Sequence, residues 1–412
     1  MGELLLILRL AIRNVRRYAS RSTLTAITIA AGMVMLIFTV GLSEGSYRRA
    51  IDTAARSGSG HVLIRASTFD PFRPVGLADA EQAVALARAI PEARVTARLR
   101  MPSLAQSTSG SANVLLVSVD PTAEARTSIL PEALVDGAWL PDPPGRTPEA
   151  VVGASLARRL DLEVGERLVL TTGAGGGVES ALVRVGGVFA TGSEEIDGGL
   201  VLAPMSVGRQ LLGRPDEIHE VAIVLDDLQR SGAVARSLQA QLPDDEVLTW
   251  AEAVPELGDF IKMDRAGGDI TFFILFALVS LAVLNAVLMS VFERVREFGI
   301  LLALGTRPST LFGVVVTEAL ILSAVSAGVG CVIGALIVLH FNHTGLDLGL
   351  LMGTDEAFDV GGYDISGTMY PYLPIRRTLV DILAVIGITV GVSLYPAWKA
   401  TRVEPVEAIS HD

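Results

Sequence analysis

The chain has 412 residues, of which 50% are hydrophobic and only 19% are charged, and its mean hydropathy is +0.50. A soluble globular protein carries roughly 25% charged residues, so this composition argues against a purely soluble enzyme and indicates a membrane protein. The net charge of −12 argues against nucleic acid as the main partner, and the single cysteine, Cys331, excludes an intrachain disulfide.

The first apolar segments predict how the chain enters a membrane. Residues 1–22 mix Leu and Ile with arginines, which is typical of an amphipathic helix on the inner leaflet. The uncharged run at 23–43 is too long for the hydrophobic region of a signal peptide, so we expect an uncleaved first span. Three further stretches have the length of a spanning helix, at 270–292, 311–339 and 378–398. The sequence therefore predicts four transmembrane helices.

The distribution of basic residues predicts the orientation of these spans. Arginines precede the first span, and basic residues also lie in the loop 293–310 and in the tail 399–412. The loop 340–377 instead carries five acids and no basic residue before Arg376. Both termini are therefore predicted to be cytoplasmic, and the loop 340–377 and the long segment 44–269 to lie outside.

The segment 44–269 is long enough for one or two compact domains. Runs of Val, Ile and Leu predict strands, and apolar residues at helical spacing predict helices. The strands are predicted at 61–65, 114–119, 167–171 and 221–225, the helices at 79–90 (with Asp79 as its N-cap) and 231–242, and the turns at 141–148 and 173–177. The predicted fold is thus a four-helix membrane protein, with both termini inside and a mixed α+β domain inserted between helices 1 and 2.

The sequence contains no motif for catalysis or for ATP binding by the chain itself. A Walker A loop needs Gly-Lys followed by Ser or Thr, and neither Lys262 nor Lys399 follows a glycine. His340 and His343 are interpreted as an interfacial polar pair rather than as a metal site. We therefore expect a chain that is not an enzyme and that binds no cofactor or metal.

The segment after span two is predicted to continue without a break into a short amphipathic helix that ends near Gly305. It is either a lever that docks in a groove of a cytoplasmic partner or a helix that only links two spans. The candidate coupling residues are Glu293, Arg294, Arg296, Glu297, Gly299, Ala303, Leu304 and Gly305.

Span three carries two further features. Glu318 lies about two turns into the span, where a carboxylate is costly unless it is paired or hydrated, so it is either functional or a hydrogen-bonding group of the bundle. Ser326, Gly330 and Gly334 are spaced by four, which predicts a stripe along which helices pack closely.

Three of these segments together resemble permease subunits of the MacB/FtsX/Lol superfamily of ABC transporters. They are the arginine-rich segment 13–25, the Glu-x-Gly and Ala-Leu-Gly signature at 293–305 followed by Glu318, and the Tyr-Pro-Ala ending at 395–409. Shorter segments are similar to the lipoprotein-releasing (LolC/LolE-like) branch, at 60–64, at 187–192 with Asp197, and at 249–252.

The resemblance implies a bacterial inner-membrane permease whose segment 44–269 is a MacB-like periplasmic core domain. It implies mechanotransmission, in which a separate cytoplasmic ATPase dimer, carrying ATP and Mg, drives two permease chains, alike or different, through the segment 293–310. The substrate would be a lipoprotein, extracted from the outer leaflet and passed to a periplasmic carrier or adaptor. Two alternatives remain open: an efflux or export permease with periplasmic adaptors, and an FtsX-like scaffold that relays ATPase motion to periplasmic hydrolases.

In the Lol branch, the substrate's acyl chains enter between spans one and two, which implies an apolar wall there. The candidate residues are Met33, Leu36, Ile37, Val40, Phe273 and Phe276. Acyl chains gain about 0.8 kcal/mol per buried CH₂ on such a wall. The plainer interpretation of an apolar face on a spanning helix is contact with membrane lipid or with other helices.

Overall fold

The computed structural model describes residues 2–17, 19–70, 75–173, 177–347, 358–360, 363–365 and 368–402. The chain divides into two compact units. The helical unit comprises residues 1–47, 263–355 and 367–412, and the sheet unit comprises residues 48–262 and 356–366. Most of the predicted turn at 173–177 falls outside the described residues.

The helices and strands are numbered in chain order. The α-helices are α1 (Gly2–Arg17), α2 (Ala19–Ala54), α3 (Ala80–Arg88), α4 (Pro121–Thr127), α5 (Ala154–Leu160), α6 (Glu194–Gly199), α7 (Met205–Leu212), α8 (Ser231–Gln239), α9 (Trp250–Ala253), α10 (Pro255–Glu293), α11 (Val295–Ala303), α12 (Pro308–Thr344) and α13 (Ile375–Ala400). The strands are β1 (Val62–Ala66), β2 (Ala93–Gln106), β3 (Ser111–Val119), β4 (Leu134–Gly137), β5 (Glu149–Gly153), β6 (Arg167–Thr172), β7 (Glu179–Phe189), β8 (Leu200–Pro204), β9 (Glu220–Leu225), β10 (Asp245–Thr249), β11 (Leu346–Asp347), β12 (Phe358–Val360), β13 (Tyr363–Ile365) and β14 (Thr368–Met369). A π-helical turn, Ala55–Ser59, follows α2, and a 3₁₀ turn, Leu228–Arg230, precedes α8.

Among the described residues, four helices are long and apolar enough to cross a membrane, namely α2, α10, α12 and α13. They contain the four apolar runs of the sequence, and each is longer than its run. The helix α2 continues past Ser43 to Ala54, and α10 begins at Pro255 rather than at Ile270. Hydropathy cannot reveal these extensions, because the helices go on into polar residues where the apolar run stops.

The core of the helical unit forms where α2 packs against the other long helices. Its buried residues are Ile29, Met33, Leu36, Ile37, Val283, Ala327, Val338 and Val385. The small residues of α12 lie on the face that meets α2, as the spacing of Gly330 and Gly334 predicts. A Cβ atom built at Gly330 would lie 2.6 Å from the carbonyl oxygen of Ala30, and one at Gly334 would lie 3.1 Å from the Cβ of Ile37. The close packing of this stripe is thereby confirmed.

We expect Gly330→Val to lower the free energy of unfolding by about 1–3 kcal/mol, because the added side chain meets the backbone of α2. Gly328→Val is the matched control, since it lies on the same helix and an added Cβ there meets nothing within 4 Å. Thermal unfolding of the full chain in detergent micelles measures the difference. Equal melting of the two variants would contradict the close approach of α2 and α12.

The sheet unit is built on one ten-stranded sheet with the order β10-β1-β9-β2-β3-β8-β5-β7-β4, in which β6 pairs with both β2 and β7. Six of the strands (β2, β3, β8, β5, β7 and β6) therefore form a closed circuit of paired neighbours. A buried apolar cluster belongs to this circuit, and its largest side chains include Leu99, Met101, Leu116 and Leu156. A second cluster joins β1 and β9 to α3 and α8.

Strand β2 belongs to both parts of the sheet unit. Its first half, from Ala93 to Arg98, pairs with β9, and its second half, from Arg98 to Gln106, pairs with β3. The sequence analysis did not predict this strand, although polar and apolar residues alternate along it, because Pro102 lies within the run and a proline argues against a strand that pairs on both sides. The structure therefore places Arg98 where one half of the sheet passes into the other.

The predicted elements of this unit are confirmed within a few residues at their ends. The four predicted strands are β1, β3, β6 and β9, and the two predicted helices are α3 and α8. Asp79 caps α3 as expected, since its Oδ1 accepts from the backbone N–H of Gln82 at 2.9 Å. The predicted loop at 141–148 contains no helix or strand.

The stability of the sheet unit is expected to depend on pH through His61, which is 3% exposed. Its Nδ1 accepts a hydrogen bond from the backbone N–H of Leu225 at 3.0 Å. Burial lowers the pKa of His61, and the nearby carboxylate of Asp52 offsets this only in part. The unfolded chain therefore binds a proton below about pH 6.5 that the folded chain does not, so the free energy of unfolding falls as the pH drops through this range.

His61→Gln tests this expectation. In this variant the contribution of the imidazole is absent, so the melting temperature is expected to fall less than in the wild type between about pH 7.5 and about pH 5.5. Calorimetry of both full-length proteins in the same detergent provides the comparison. If the melting temperatures of the wild type and the variant fall equally with pH, His61 does not contribute to the pH dependence of stability.

Candidate coupling site

The candidate coupling site begins where α10 ends. Arg294 has a non-helical backbone (φ −107°, ψ 11°) and separates α10 from α11. The prediction of an unbroken helix is therefore wrong at this residue. Periodicity could not reveal the break, because the apolar spacing continues on both sides of it and the partner of Arg294 lies on another helix.

The end of α11 is as the sequence predicts. Gly305 has φ +91°, and its N–H donates to the carbonyl of Leu302 at 3.0 Å. The N–H of Thr306 donates to the carbonyl of Leu301 at 3.0 Å, which completes a Schellman motif. Pro308 is the first residue of α12, a position that does not need its missing N–H. The short helix is thus closed at a fixed residue.

Arg294 and Glu318 form a buried ion pair. The guanidinium Nη1 donates to Glu318 Oε2 at 3.0 Å, and the two side chains are only 6% and 17% exposed. The amide of Asn14, on α1, also hydrogen-bonds to Glu318. Glu318 is therefore a paired carboxylate of the helical unit.

A weaker chain of charges extends this pair toward α11. Glu297 Oε2 lies 3.6 Å from Arg294 Nε, and Glu297 Oε1 lies 3.2 Å from Arg17 Nη1. Both Arg17 and Glu297 are considerably exposed, so their contact adds little stability. The arrangement nevertheless joins α1, α11 and α12 through side chains centred on Arg294.

The predicted coupling residues divide into buried and exposed groups. Arg294 and Gly299 are buried, and Glu297 is intermediate. The exposed members are Glu293, Arg296, Ala303, Leu304 and Gly305. The site as predicted is therefore not one continuous surface, because Arg294 points into the bundle.

An apolar surface at α11 was only partly included in that prediction. Phe298 anchors the helix and is 1% exposed, while Ile300, Leu301 and Leu304 are 45%, 37% and 78% exposed. Three large apolar side chains that no other part of the described chain covers, on a short helix and its C-cap residue, are typical of a surface for a protein partner. The signal in the sequence was the apolar run after Gly299, of which the predicted coupling residues included Leu304 but not Ile300 or Leu301.

The candidate wall for acyl chains is not one surface either. Met33, Leu36, Ile37 and Val40 are at most 5% exposed, and the first three belong to the core of the helical unit. Phe273 is 73% exposed, whereas Phe276 is partly buried against that core. The apolar residues of span one thus contact neighbouring helices of the same chain, and hydropathy cannot separate such a face from one that meets lipid.

Two family models match the chain. The MacB-like periplasmic core domain matches residues 22–241, which is more than half of the chain, and the FtsX-like permease C-terminal domain matches residues 270–405. The first covers α2 and most of the sheet unit, and the second covers α11, α12 and α13 together with most of α10.

Curated relatives agree with these matches. The lipoprotein-releasing system transmembrane protein LolC of Xylella fastidiosa is 23% identical over 401 residues, which cover 93% of this chain and 92% of that protein. The protein of the same name from Neisseria meningitidis is 22% identical and covers 64% of this chain and 65% of its own length. The macrolide export ATP-binding/permease protein MacB of Nitrosomonas europaea is 25% identical over 86% of this chain, which spans 55% of that protein.

The four long apolar helices, the short helix α11 with its defined ends and the matched sheet unit therefore lead to one assignment. The chain is a membrane protein with a MacB-like periplasmic domain, and it belongs to the MacB/FtsX/Lol superfamily of ABC transporter permeases.

Proposed function

We propose that this chain is a mechanotransmitting permease of a bacterial inner membrane. Its termini and α11 face the cytoplasm, and its sheet unit faces the periplasm. The observation that carries the proposal is the construction of α11. This helix exposes Ile300, Leu301 and Leu304, while the buried pair of Arg294 and Glu318 ties its start to α12. A helix with an apolar docking surface and a rigid connection to a span is suited to pass on a push from a cytoplasmic partner.

The partner we propose is a separate ABC ATPase dimer that carries the ATP and Mg. Closure of the dimer on ATP would move α11 of two paired permease chains, which are either alike or different. In this mechanism the chain binds no nucleotide itself.

The substrate we propose is a lipoprotein that is passed to a periplasmic carrier. The support is that the LolC relative is matched over almost its whole length, whereas the MacB relative is matched over about half of its own. Withdrawing an acyl chain from the bilayer costs about 0.8 kcal/mol for each CH₂ that loses its apolar surroundings, so the step needs ATP. The exposed apolar residues of α2 and α10 away from their cytoplasmic ends, which include Met35, Phe273 and Leu278, are further candidate contacts for acyl chains or lipid.

The test is release of a radiolabelled acylated protein from proteoliposomes that contain the full permease and its ATPase. We expect transfer to a soluble carrier only with ATP, and none with a hydrolysis-deficient ATPase. Continued ATP turnover without transfer of any acylated protein would contradict lipoprotein release.

The main alternative is export of a compound of the macrolide kind, since the MacB relative of Nitrosomonas europaea is a macrolide export protein by name. The same proteoliposomes distinguish the two functions. ATP-dependent loss of an embedded macrolide, without release of acylated protein, would favour export.

A further inference from the structure

The last residues of α2, from Arg48 to Ala54, belong to the sheet unit and are followed by an unusual turn. After Ala54 the helix widens into the π-helical turn Ala55–Ser59, which the N–H of Gly60 closes by donating to the carbonyl of Ala55 at 2.8 Å. Gly60 has φ +69°, and His61 then joins the sheet by donating to the carbonyl of Ile223 at 2.8 Å. Such π-helical turns are rare and occur frequently at functional positions.

Arg98 contacts this turn from the middle of the sheet. Its side chain is 3% exposed, and its Nη1 donates to the carbonyl oxygen of Gly58. Carbonyls at the end of a helix lack helical donors and carry partial negative charge, so a guanidinium suits this position. The contact joins the end of α2 to the point at which β2 passes from β9 to β3.

The other edge of the same guanidinium is fixed by Glu124. Arg98 Nε and Nη2 donate to Glu124 Oε2 and Oε1 at 3.0 and 2.6 Å, and Thr96 Oγ1 donates to Oε2 at 2.8 Å. Glu124 is 1% exposed and lies on α4. A bidentate pair holds the plane of the guanidinium in one orientation, which leaves Nη1 directed at Gly58.

Arg56 makes a second contact from the turn. Its Nη2 lies 2.7 Å from Glu132 Oε1, and its carbonyl accepts from the N–H of Ile129 at 3.3 Å. The π-helical turn is therefore held by the segment after α4 as well as by β2. The turn is therefore held at Gly58 by the side chain of Arg98 and at Arg56 by Glu132 and by the backbone of Ile129.

We propose that Arg98 is a positioning residue that transmits displacement of α2 into the sheet unit through its contact with Gly58. The proposal rests on the mechanotransmitting function proposed above. A buried ion pair seldom stabilises a fold more than apolar residues of the same volume would. Apolar residues cannot replace the hydrogen bond from Arg98 to the carbonyl of Gly58. This hydrogen bond is what the transmission of displacement from α2 requires.

The test separates the effect of the hydrogen bond between Arg98 and Gly58 on transmission from the effect of the buried ion pair on the stability of the fold. Thr96→Val/Arg98→Met/Glu124→Leu replaces the buried polar group with apolar residues and leaves no buried hydroxyl without its acceptor. Arg98→Lys keeps a charge next to Glu124, but one ammonium cannot hold the carboxylate in two places and also reach Gly58. Arg65→Met/Glu246→Leu is the control, because it removes an ion pair of 2.9 Å between β1 and β10 that does not involve the turn.

The measurement is the distance between spin labels at Gln241→Cys and His343→Cys in full-length Cys331→Ser protein, reconstituted with its ATPase. When ATP and vanadate trap the closed ATPase, we expect the distance between the labels to change in the labelled protein that keeps Arg98, Thr96 and Glu124. We expect the same change in the Arg65→Met/Glu246→Leu control. Both Arg98 variants are expected to lose this change while retaining ATP turnover. Arg98→Lys provides the test even when the triple variant does not fold.

Two results would overturn the proposal in different ways. A distance change of wild-type size in folded Arg98 variants would show that α2 transmits its motion without Arg98, and the proposed function would stand. No distance change with the wild-type side chains, despite ATP turnover, would contradict mechanotransmission itself and with it the role of Arg98.

Discussion

Replacing Glu318 with Leu is expected to destabilise the helical unit by about 3 kcal/mol, because the substitution removes the carboxylate that accepts a hydrogen bond from the buried guanidinium of Arg294. The carboxylate of Glu297 remains 3.6 Å from Arg294 Nε, which offsets part of the loss. Arg294 is only 6% exposed on its side chain, so water cannot readily take the place of Glu318. The expected signs are a lower yield of folded protein and a lower melting temperature in detergent micelles. Chemical unfolding of the same preparations gives the free energy.

The control is a second Arg–Glu ion pair of the helical unit, which is much more exposed than the pair of Arg294 and Glu318. Arg17→Ala breaks the contact between Arg17 and Glu297, whose side chains are 65% and 39% exposed, and is expected to cost about 0–1 kcal/mol. Arg294→Met/Glu318→Leu removes both charges and is expected to recover most of the loss. A double variant as unstable as Glu318→Leu alone would show that the loss of the hydrogen-bonded partner of Arg294 is not the cause.

Leu304→Asp is expected to reduce ATP-driven release about tenfold or more, which corresponds to the loss of one well-buried contact at an interface. Leu304 is 78% exposed in this chain, so the substitution leaves the fold and the melting temperature unchanged. In the complex, the new carboxylate would lie against the ATPase, where its desolvation weakens docking. Release from proteoliposomes and co-purification of the ATPase measure the two effects.

Val135→Asp is the control for an added surface charge, since Val135 is 63% exposed on β4 of the sheet unit. It is expected to leave both ATPase binding and release at wild-type levels. Normal binding and release by Leu304→Asp would show that α11 does not dock on the ATPase, and the proposed coupling site would then have to be abandoned.

The local features of this protein could be predicted from the sequence, because each depends on residues within a turn or two of one another. The four apolar runs, the cap that Asp79 provides for α3 and the end of α11 at Gly305 are of this kind. The stripe of Gly330 and Gly334 was also readable, since small residues at helical spacing indicate close packing whatever the partner is.

The contacts between distant segments could not be predicted. The charges of Arg294 and Glu318 were visible in the sequence, but their pairing depends on where α10 breaks and how α12 packs beside it. The same limit applies to Arg98 and Gly58, which lie on different elements of a strand order that the sequence does not specify.

The four apolar helices were predictable because their transfer into an apolar phase depends on local composition, and the mixed character of the inserted domain was predictable because strands and helices have different apolar periods. Which apolar and charged side chains face inward depends instead on the packing of the folded chain. Met33 and Leu36 are as apolar as Leu24 and Ile27, yet the first two are buried and the last two are exposed. The difference arises from packing against helices distant in sequence, a contact that composition does not encode.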